Sequence, residues 1–342
     1  MTMPDMRLNV QAAMRAAFPQ AEARVSHFYA MQEYHLGWRD EQLTPTSADP
    51  GKLVRPQLAL LACAAAGGVP QQAVPLAAGL QLLHDFSLIH DDIQDQSDTR
   101  RGRPTVWKIW GIAQGINTGD GMFTIAHLAI HRLADHGVPA ERALAVLRRF
   151  DEIILHVCEG QFLDLSFEGN LDIGTDDYLA MIGRKTAALI AGSAELGALV
   201  AGAAAPMVAN FAEFGRSLGL AFQIEDDILG IWGDPAQTGK PRAADLYRRK
   251  LSLPVVHGLS NAVDRATLAD LYRREQLGDA EVDRALAILD SAGSREYCVA
   301  MARGQHQAAF AALDRLEGGG TEARQAREVL RSLAESLIGR KS

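Results

Sequence analysis

Cysteine is scarce in this sequence and forms no pattern. Cys63, Cys158 and Cys298 are spread through 342 residues, odd in number and without paired metal-ligand spacing. That excludes a disulfide framework and a cysteine-built metal site, and predicts buried thiols in a reducing compartment. Aromatic residues are few as well, 6% against 48% hydrophobic residues overall. The apolar content therefore lies in alanine and leucine, which suits close-packed helices better than a sheet. Positive charge is not in excess: the formal charge is −8, which argues against nucleic acid or an anionic membrane surface as partner. An anionic substrate has to be met by local basic groups. The first residues hold Asp5 and no apolar core of signal-peptide type, and the apolar run 187–209 is interrupted by Glu195, Pro206 and several glycines. That run reads as a buried helix, so the expectation is a soluble, cytoplasmic protein with no transmembrane segment.

What is present is concentrated in HDFSLIHDDIQDQSDTRRGRPTVW, His84 to Trp107. On a helix, Asp91 and Asp95 stand one turn apart on one face with Asp92 beside them. Like charges at this spacing destabilise an isolated helix, so a cation is the simplest reason to keep them, and carboxylate oxygens suit Mg²⁺. Arg100, Arg101 and Arg103 follow at once, and guanidinium forks match phosphate oxygens. A single acidic cluster of this kind is also what a solvated helix end looks like. FQIEDDILG adds a second, with Asp226 and Asp227 in the same apolar, helical setting. Two acidic pairs on separate helices, if those helices face each other, make a cage for several Mg²⁺ ions around a diphosphate.

In chain order, 5–32 reads as one amphipathic helix and 33–51, with Pro45 and Pro50, as a loop. LVRPQLALLACAAA restarts the helical pattern, with Pro56 tolerable in its first turn. Gly51, Lys52 and Arg55 lie beside the free backbone N–H groups of that helix start, a place that favours anions. Further helices are expected over 72–95, over 106–135 with breaks or bends at Gly111, Gly115, Gly119 and Gly121, over 140–167, from about 176, and over 207–232. SDTRRGRPT and GDPAQTGKPRAAD, which holds Lys240, read as loops, and no segment shows a convincing strand period. With no linker and no short-period repeat, 1–342 reads as one all-α domain.

From Gly51 to Pro254 the chain resembles the trans-isoprenyl diphosphate synthases, or polyprenyl synthetases. The resemblance rests on GKLVRP, DDIQD with RRGRPT, Lys185–Thr186, FQIEDD, Gly239–Lys240–Pro241 and DLYRRKLSLP, in order and spacing. It implies an all-helical, single-domain bundle with a deep central cavity. It also implies a reaction: an allylic diphosphate loses pyrophosphate, and the double bond of isopentenyl diphosphate attacks the allylic cation. Loss of a proton then leaves a longer allylic diphosphate. By the resemblance, Asp91, Asp95 and Asp226 bind Mg²⁺, three ions with the allylic diphosphate, while Asp92 and Asp227 order the surrounding shell. Arg100, Lys185 and Lys240, with Lys250 nearby, hold the allylic diphosphate. Lys52, Arg55, His84 and Arg101 hold the isopentenyl diphosphate without metal. Thr186 and Gln223 offer oxygens to the allylic cation, and no side chain is identified as base, since the departing pyrophosphate takes the proton in this family.

Phe86 and Ser87 stand five and four residues before Asp91, where bulk is associated in this family with short products; no two-residue insertion splits DDIQD. That pattern resembles C20 makers, so geranylgeranyl diphosphate is expected, with C15 next. The family also implies a homodimer. The chain departs from the pattern at Gly230, where a third aspartate of the second motif is usual, and at Leu53 in GKLVRP. A terpene cyclase would share the Mg²⁺ cage but lack the isopentenyl diphosphate cations. A non-catalytic partner subunit would have lost motif residues wholesale, and a helical scaffold with an ion-binding face would leave both diphosphate sets unexplained.

Overall fold

The computed structural model describes residues 3–48, 51–235 and 242–338. Its contacts divide the chain into two compact units, Met1–Arg149 with Leu196–Ala203, and Phe150–Glu195 with Ala204–Ser342.

The first unit contains α1 (Met3–Ala17), α2 (Ser26–His35), α3 (Val54–Ala65) and α4 (Val74–Gln94). After them come α5 (Val106–Trp110), α6 (Ile112–His131) and the start of α7 (Ala140–Phe167). The central element is α4, packed on α6, α3 and α1. Leu76, Leu80, Leu82 and Ile89 of α4 are buried, each removing about 1.5–3 kcal/mol worth of apolar surface from water. Pro75 lies in its first turn, where a missing N–H costs no helical bond. Its last turn closes through the Asp95 N–H donating to the Asp91 carbonyl.

Three sequence expectations are corrected in part. The helix expected over 5–32 is two: α1 stops at Ala17, because Pro19 disfavours a helical residue before it, and α2 begins at Ser26. The stretch 106–135 breaks at Gly111, between α5 and α6, and α6 ends at His131, while Gly115, Gly119 and Gly121 lie inside α6. SDTRRGRPT contains a small antiparallel hairpin, β1 (Thr99–Arg100) with β2 (Arg103–Pro104). Arg101 and Gly102 at its tip have φ of 51° and 73°, the pair of positive values a two-residue type I′ turn needs.

The second unit contains the rest of α7, α8 (Thr175–Ile182), a π-helical turn (Gly183–Ala187) and α9 (Ala188–Ala201), whose last residues belong to the first unit. It continues with α10 (Ala205–Trp232), α11 (Ala244–Tyr247), α12 (Leu253–Asn261), α13 (Arg265–Tyr272), α14 (Asp279–Ser291), α15 (Ser294–Asp314) and α16 (Thr321–Ile338). The main packing is α10 on α15, with Phe211, Phe214 and Leu218 of α10 buried. The apolar run 187–209, expected as one buried helix, is the end of the π turn, α9 and the start of α10, parted at Gly202–Ala204. Cys63 and Cys298 are buried as expected, but Cys158 is exposed on α7. Among the described residues, no helix is long and apolar enough to cross a membrane.

Candidate active site

In the first unit α4 carries the acidic motif and His84, while the start of α3 and the hairpin supply the basic residues Arg55 and Arg101. Asp92, 2% exposed, is clamped by Arg100: Nε donates to both carboxylate oxygens at 2.9 and 3.0 Å, and Nη2 lies 2.8 Å from Oδ1. The hairpin makes this pair, since β1 brings Arg100 back along the end of α4. Asp91 is half-buried and Asp95 exposed. Of the three arginines expected to meet phosphate, Arg103 belongs to the fold instead. Its guanidinium lies 4.0 Å over the Tyr34 ring and its Nη2 donates to the Arg39 carbonyl at 2.8 Å.

Two turns earlier on α4 is His84, about 10 Å along the axis from Asp91. Burial first, then the charge of Arg55, hold His84 well below the usual imidazole range against the opposing charge of Asp85, with Arg101 and Arg100 adding to the lowering. Arg55 is lowered to about 10, by burial and against the opposing charge of Asp85. Its Nε is buried without a hydrogen-bond partner. Lys52 and Arg101 are exposed. Leu53, between Lys52 and Arg55, takes a left-handed φ of 48° immediately before the helix. Phe86 points to α6: its ring lies 5.1 Å from that of Phe123 and 4.9 Å from that of His90. Ser87 donates its hydroxyl to the His84 carbonyl at 2.8 Å.

In the second unit, Asp227 is fully buried and surrounded by donors. It accepts from the Tyr178 hydroxyl at 2.5 Å, the Gln223 amide at 3.0 Å and the Leu253 backbone N–H at 3.2 Å, and lies 3.8 Å from Lys250 Nζ. Burial pushes its carboxyl above the usual carboxylate range, and these four groups oppose the rise. Desolvation acts to lower the Lys250 ammonium, but Asp227, Asp245, Asp226 and Asp164 outweigh it and raise it above the usual lysine range. Lys185 and Thr186 sit in the π-helical turn, an irregularity common at functional sites. Lys185 Nζ donates to Asp164 at 2.5 Å, and the Thr186 hydroxyl donates to Gln223 Oε1 at 2.9 Å. Thr186, Gln223, Asp227 and Tyr178 thus form one connected network. Asp226 is half-buried. Lys240 lies outside the described residues.

Sequence reasoning passed over Asp164, Tyr178 and Asp245, which hold motif residues in place, and over Asp85 beside His84. Asp245 opens DLYRRKLSLP and Asp85 lies in HDFSLIHDD, stretches already singled out for other residues, and GQFLD, with Asp164 one turn after Gly160, was a further local signal. Among the described residues, no three or more His, Cys, Asp or Glu side chains converge as a preformed ion site. Each unit's carboxylates nonetheless fit Mg²⁺ by their chemistry: in the first, Asp92 is bound up by an internal donor with Asp91 and Asp95 nearer the surface, and in the second, Asp227 is bound up with Asp226 nearer the surface. Mg²⁺ commonly takes one or two carboxylates and fills its octahedron with water and phosphate.

Residues 38–289 match the family model described as Polyprenyl synthetase. The chain is 43% identical over 285 residues to a geranylgeranyl diphosphate synthase of Mycobacterium tuberculosis, covering 83% of this chain and 80% of that protein. It is 39% identical over 307 residues to a (2E,6E)-farnesyl diphosphate synthase of the same organism, covering 88% and 84%. The crystal structure of a polyprenyl synthetase from Streptomyces coelicolor A3(2) has the same all-helical fold, with a TM-score of 0.89 at 34% identity over 98% of each chain.

Proposed function

The chain belongs to the polyprenyl synthetase family and is a short-chain trans-isoprenyl diphosphate synthase, and on that footing we propose that it makes geranylgeranyl diphosphate. The substrates are isopentenyl diphosphate and an allylic diphosphate, and C15 is the next candidate for the product. The observation that carries the reading is α4. It places His84, which shares its surroundings with Arg55 of α3 and Arg101 of the hairpin, two turns before the acidic set at Asp91 and Asp95, as two substrates with separate diphosphates require.

Asp91, Asp95 and Asp226 would hold Mg²⁺, assigned as three ions in all, and the bound metal would supply charge neutralisation for a departing pyrophosphate. Arg100 is held by Asp92 through Nε and Nη2, and offers Nη1 to the allylic diphosphate. Lys185, fixed on Asp164, with Lys240 and Lys250, completes that set as fixed positive charge. Lys52, Arg55, His84 and Arg101 take the diphosphate of isopentenyl diphosphate. Thr186 and Gln223 direct oxygens toward the allylic cation, and Asp227 keeps both oriented through the Gln223 amide. Proton loss is assigned to the departing pyrophosphate. Phe86, backed by Phe123, is assigned as the stop for the growing chain, with Ser87 beside it. Homodimerisation is supported by Leu144, Leu155 and Phe162 of α7, which are 68%, 60% and 69% exposed and fall on one helical face.

The test is pyrophosphate release from purified protein with Mg²⁺. Release that needs both an allylic diphosphate and isopentenyl diphosphate supports the synthase. Release from the allylic substrate alone, with a cyclic hydrocarbon formed, identifies a cyclase, and no release under either condition leaves a non-catalytic partner.

A further inference from the structure

Asp85 is a buried carboxylate in the middle of the cations assigned to isopentenyl diphosphate, and none of the roles above uses it. It is 2% exposed. Gln81, one turn earlier on α4, donates Nε2 to Oδ2 at 2.8 Å in a fully buried bond. His35 of α2 places Nε2 3.6 Å from Oδ1, and Arg101 places Nη2 4.0 Å from the same oxygen. Both separations exceed a hydrogen bond. Oδ1 accordingly has no hydrogen-bond partner, nor does the buried Nε of Arg55 or Nε2 of His35. Asp85 and Arg101 line one small cleft with Gln81 and Leu53.

A buried carboxylate with one hydrogen bond is costly unless opposite charge lies close by. Here that charge is a group of cations that repel one another: Arg55 and Arg101, with the His84 ring between them in sequence on the adjoining α4 position. Left alone, two guanidiniums gathered for one diphosphate would separate in the empty site. A fixed negative charge behind them opposes that separation, so the diphosphate meets donors already placed and loses less ordering free energy on binding.

Resting on the assignment of Arg55, His84 and Arg101 to isopentenyl diphosphate, we propose that Asp85 is a positioning residue for that substrate. Gln81 holds Oδ2 by a hydrogen bond and the His35 ring lies 3.6 Å from Oδ1, which fixes the carboxylate so that its charge keeps the Arg101 and Arg55 guanidiniums in their receiving arrangement. Asp85 touches neither reacting atom, so its effect falls on binding of one substrate and leaves the chemical step alone.

The experiment compares the full chain with Asp85→Asn, which keeps shape and removes charge, and with His35→Gln, which leaves Asp85 in place but loosens its support. Steady-state KM for isopentenyl diphosphate, KM for the allylic diphosphate and kcat are measured with Mg²⁺, together with metal-free binding of isopentenyl diphosphate by calorimetry. The expected result for Asp85→Asn is a tenfold or greater rise in KM and in Kd for isopentenyl diphosphate, with the allylic KM and kcat within twofold. For His35→Gln it is a threefold or greater rise with the same selectivity, and this variant decides alone if Asp85→Asn does not fold. An unchanged or lowered KM for isopentenyl diphosphate overturns the proposal, and so does an equal rise in both KM values, which marks a general structural loss. A parent protein that elongates nothing defeats the synthase assignment itself. A parent that elongates normally beside indifferent variants defeats only the role of Asp85.

Discussion

The carboxylate of Asp245 occupies the space in front of Gly230: a Cβ built on Gly230 would stand 2.1 Å from Asp245 Oδ2. Gly230 is the position where the family pattern has a third aspartate, one turn beyond Asp226. A carboxylate is therefore present at this point of α10, delivered by α11. Gly230→Asp is expected to overpack the site and lose about 1–3 kcal/mol of stability, lowering Tm. Adding Asp245→Gly to Gly230→Asp is expected to recover most of that loss. Thermal unfolding of the three proteins checks this, and a Gly230→Asp protein that melts with the parent would show that the contact is not rigid.

Phe86 packs against Phe123 with ring centroids 5.1 Å apart, and Phe123 in turn lies 4.7 Å from His127. The stop assigned to Phe86 is thus one ring in a series of edge-on and tilted contacts that runs from His90 through Phe86 and Phe123 to His127. Phe86→Ala is expected to shift the main product from C20 to C25 or longer. Mass spectrometry of the extracted products reads this directly. A Phe86→Ala enzyme that still stops at C20 removes Phe86 from the account of chain length.

His84 sets a pH dependence with a definite sign. Burial and the charges of Arg55, Arg101 and Arg100 depress its proton affinity in the folded protein, whereas the unfolded chain takes up that proton near its ordinary pKa of about 6.5. Between the depressed value and about 6.5 the unfolded state binds the extra proton, so stability falls as pH falls through that window. The slope for one proton is at most about 1.4 kcal/mol per pH unit, and above about 6.5 the contribution is constant. Comparing denaturant midpoints of the parent and His84→Gln at about pH 5.5 and about pH 7.5 isolates the term from other groups, including His257, which burial also lowers. The variant is expected to lose less stability on acidification. Parallel losses in the two proteins would mean that His84 is not held neutral.

Much of this was legible in the sequence because it depends on local pattern. The end of α4 at the acidic motif, α7 over Ala140–Phe167 and the start of α3 with Pro56 in its first turn follow from periodicity and proline placement. The hairpin at Thr99–Pro104 was missed because two-residue strands have no period to show, and because Arg101 takes a positive φ that its residue type does not announce. The motif residues proposed for the site stand out in the sequence, whereas the side chains that contact them do not. Tyr178 on Asp227, Asp164 on Lys185, His35 on Asp85 and Asp245 on Gly230 are long-range pairings that packing creates. Arg103 was misread for the same reason: a guanidinium after an acidic motif looks like a phosphate ligand until Tyr34 is found beneath it.

The central claim is elongation, and product length tests it most directly. Purified protein is incubated with Mg²⁺, isopentenyl diphosphate and, separately, C5, C10 and C15 allylic diphosphates, and the products are weighed by mass spectrometry. Asp91→Ala runs in parallel. The account predicts a C20 diphosphate from the parent and a rate lower by about 10²-fold or more in Asp91→Ala, the scale on which lost transition-state charge stabilisation is felt. No elongation from any starter, or full activity in Asp91→Ala, would contradict it.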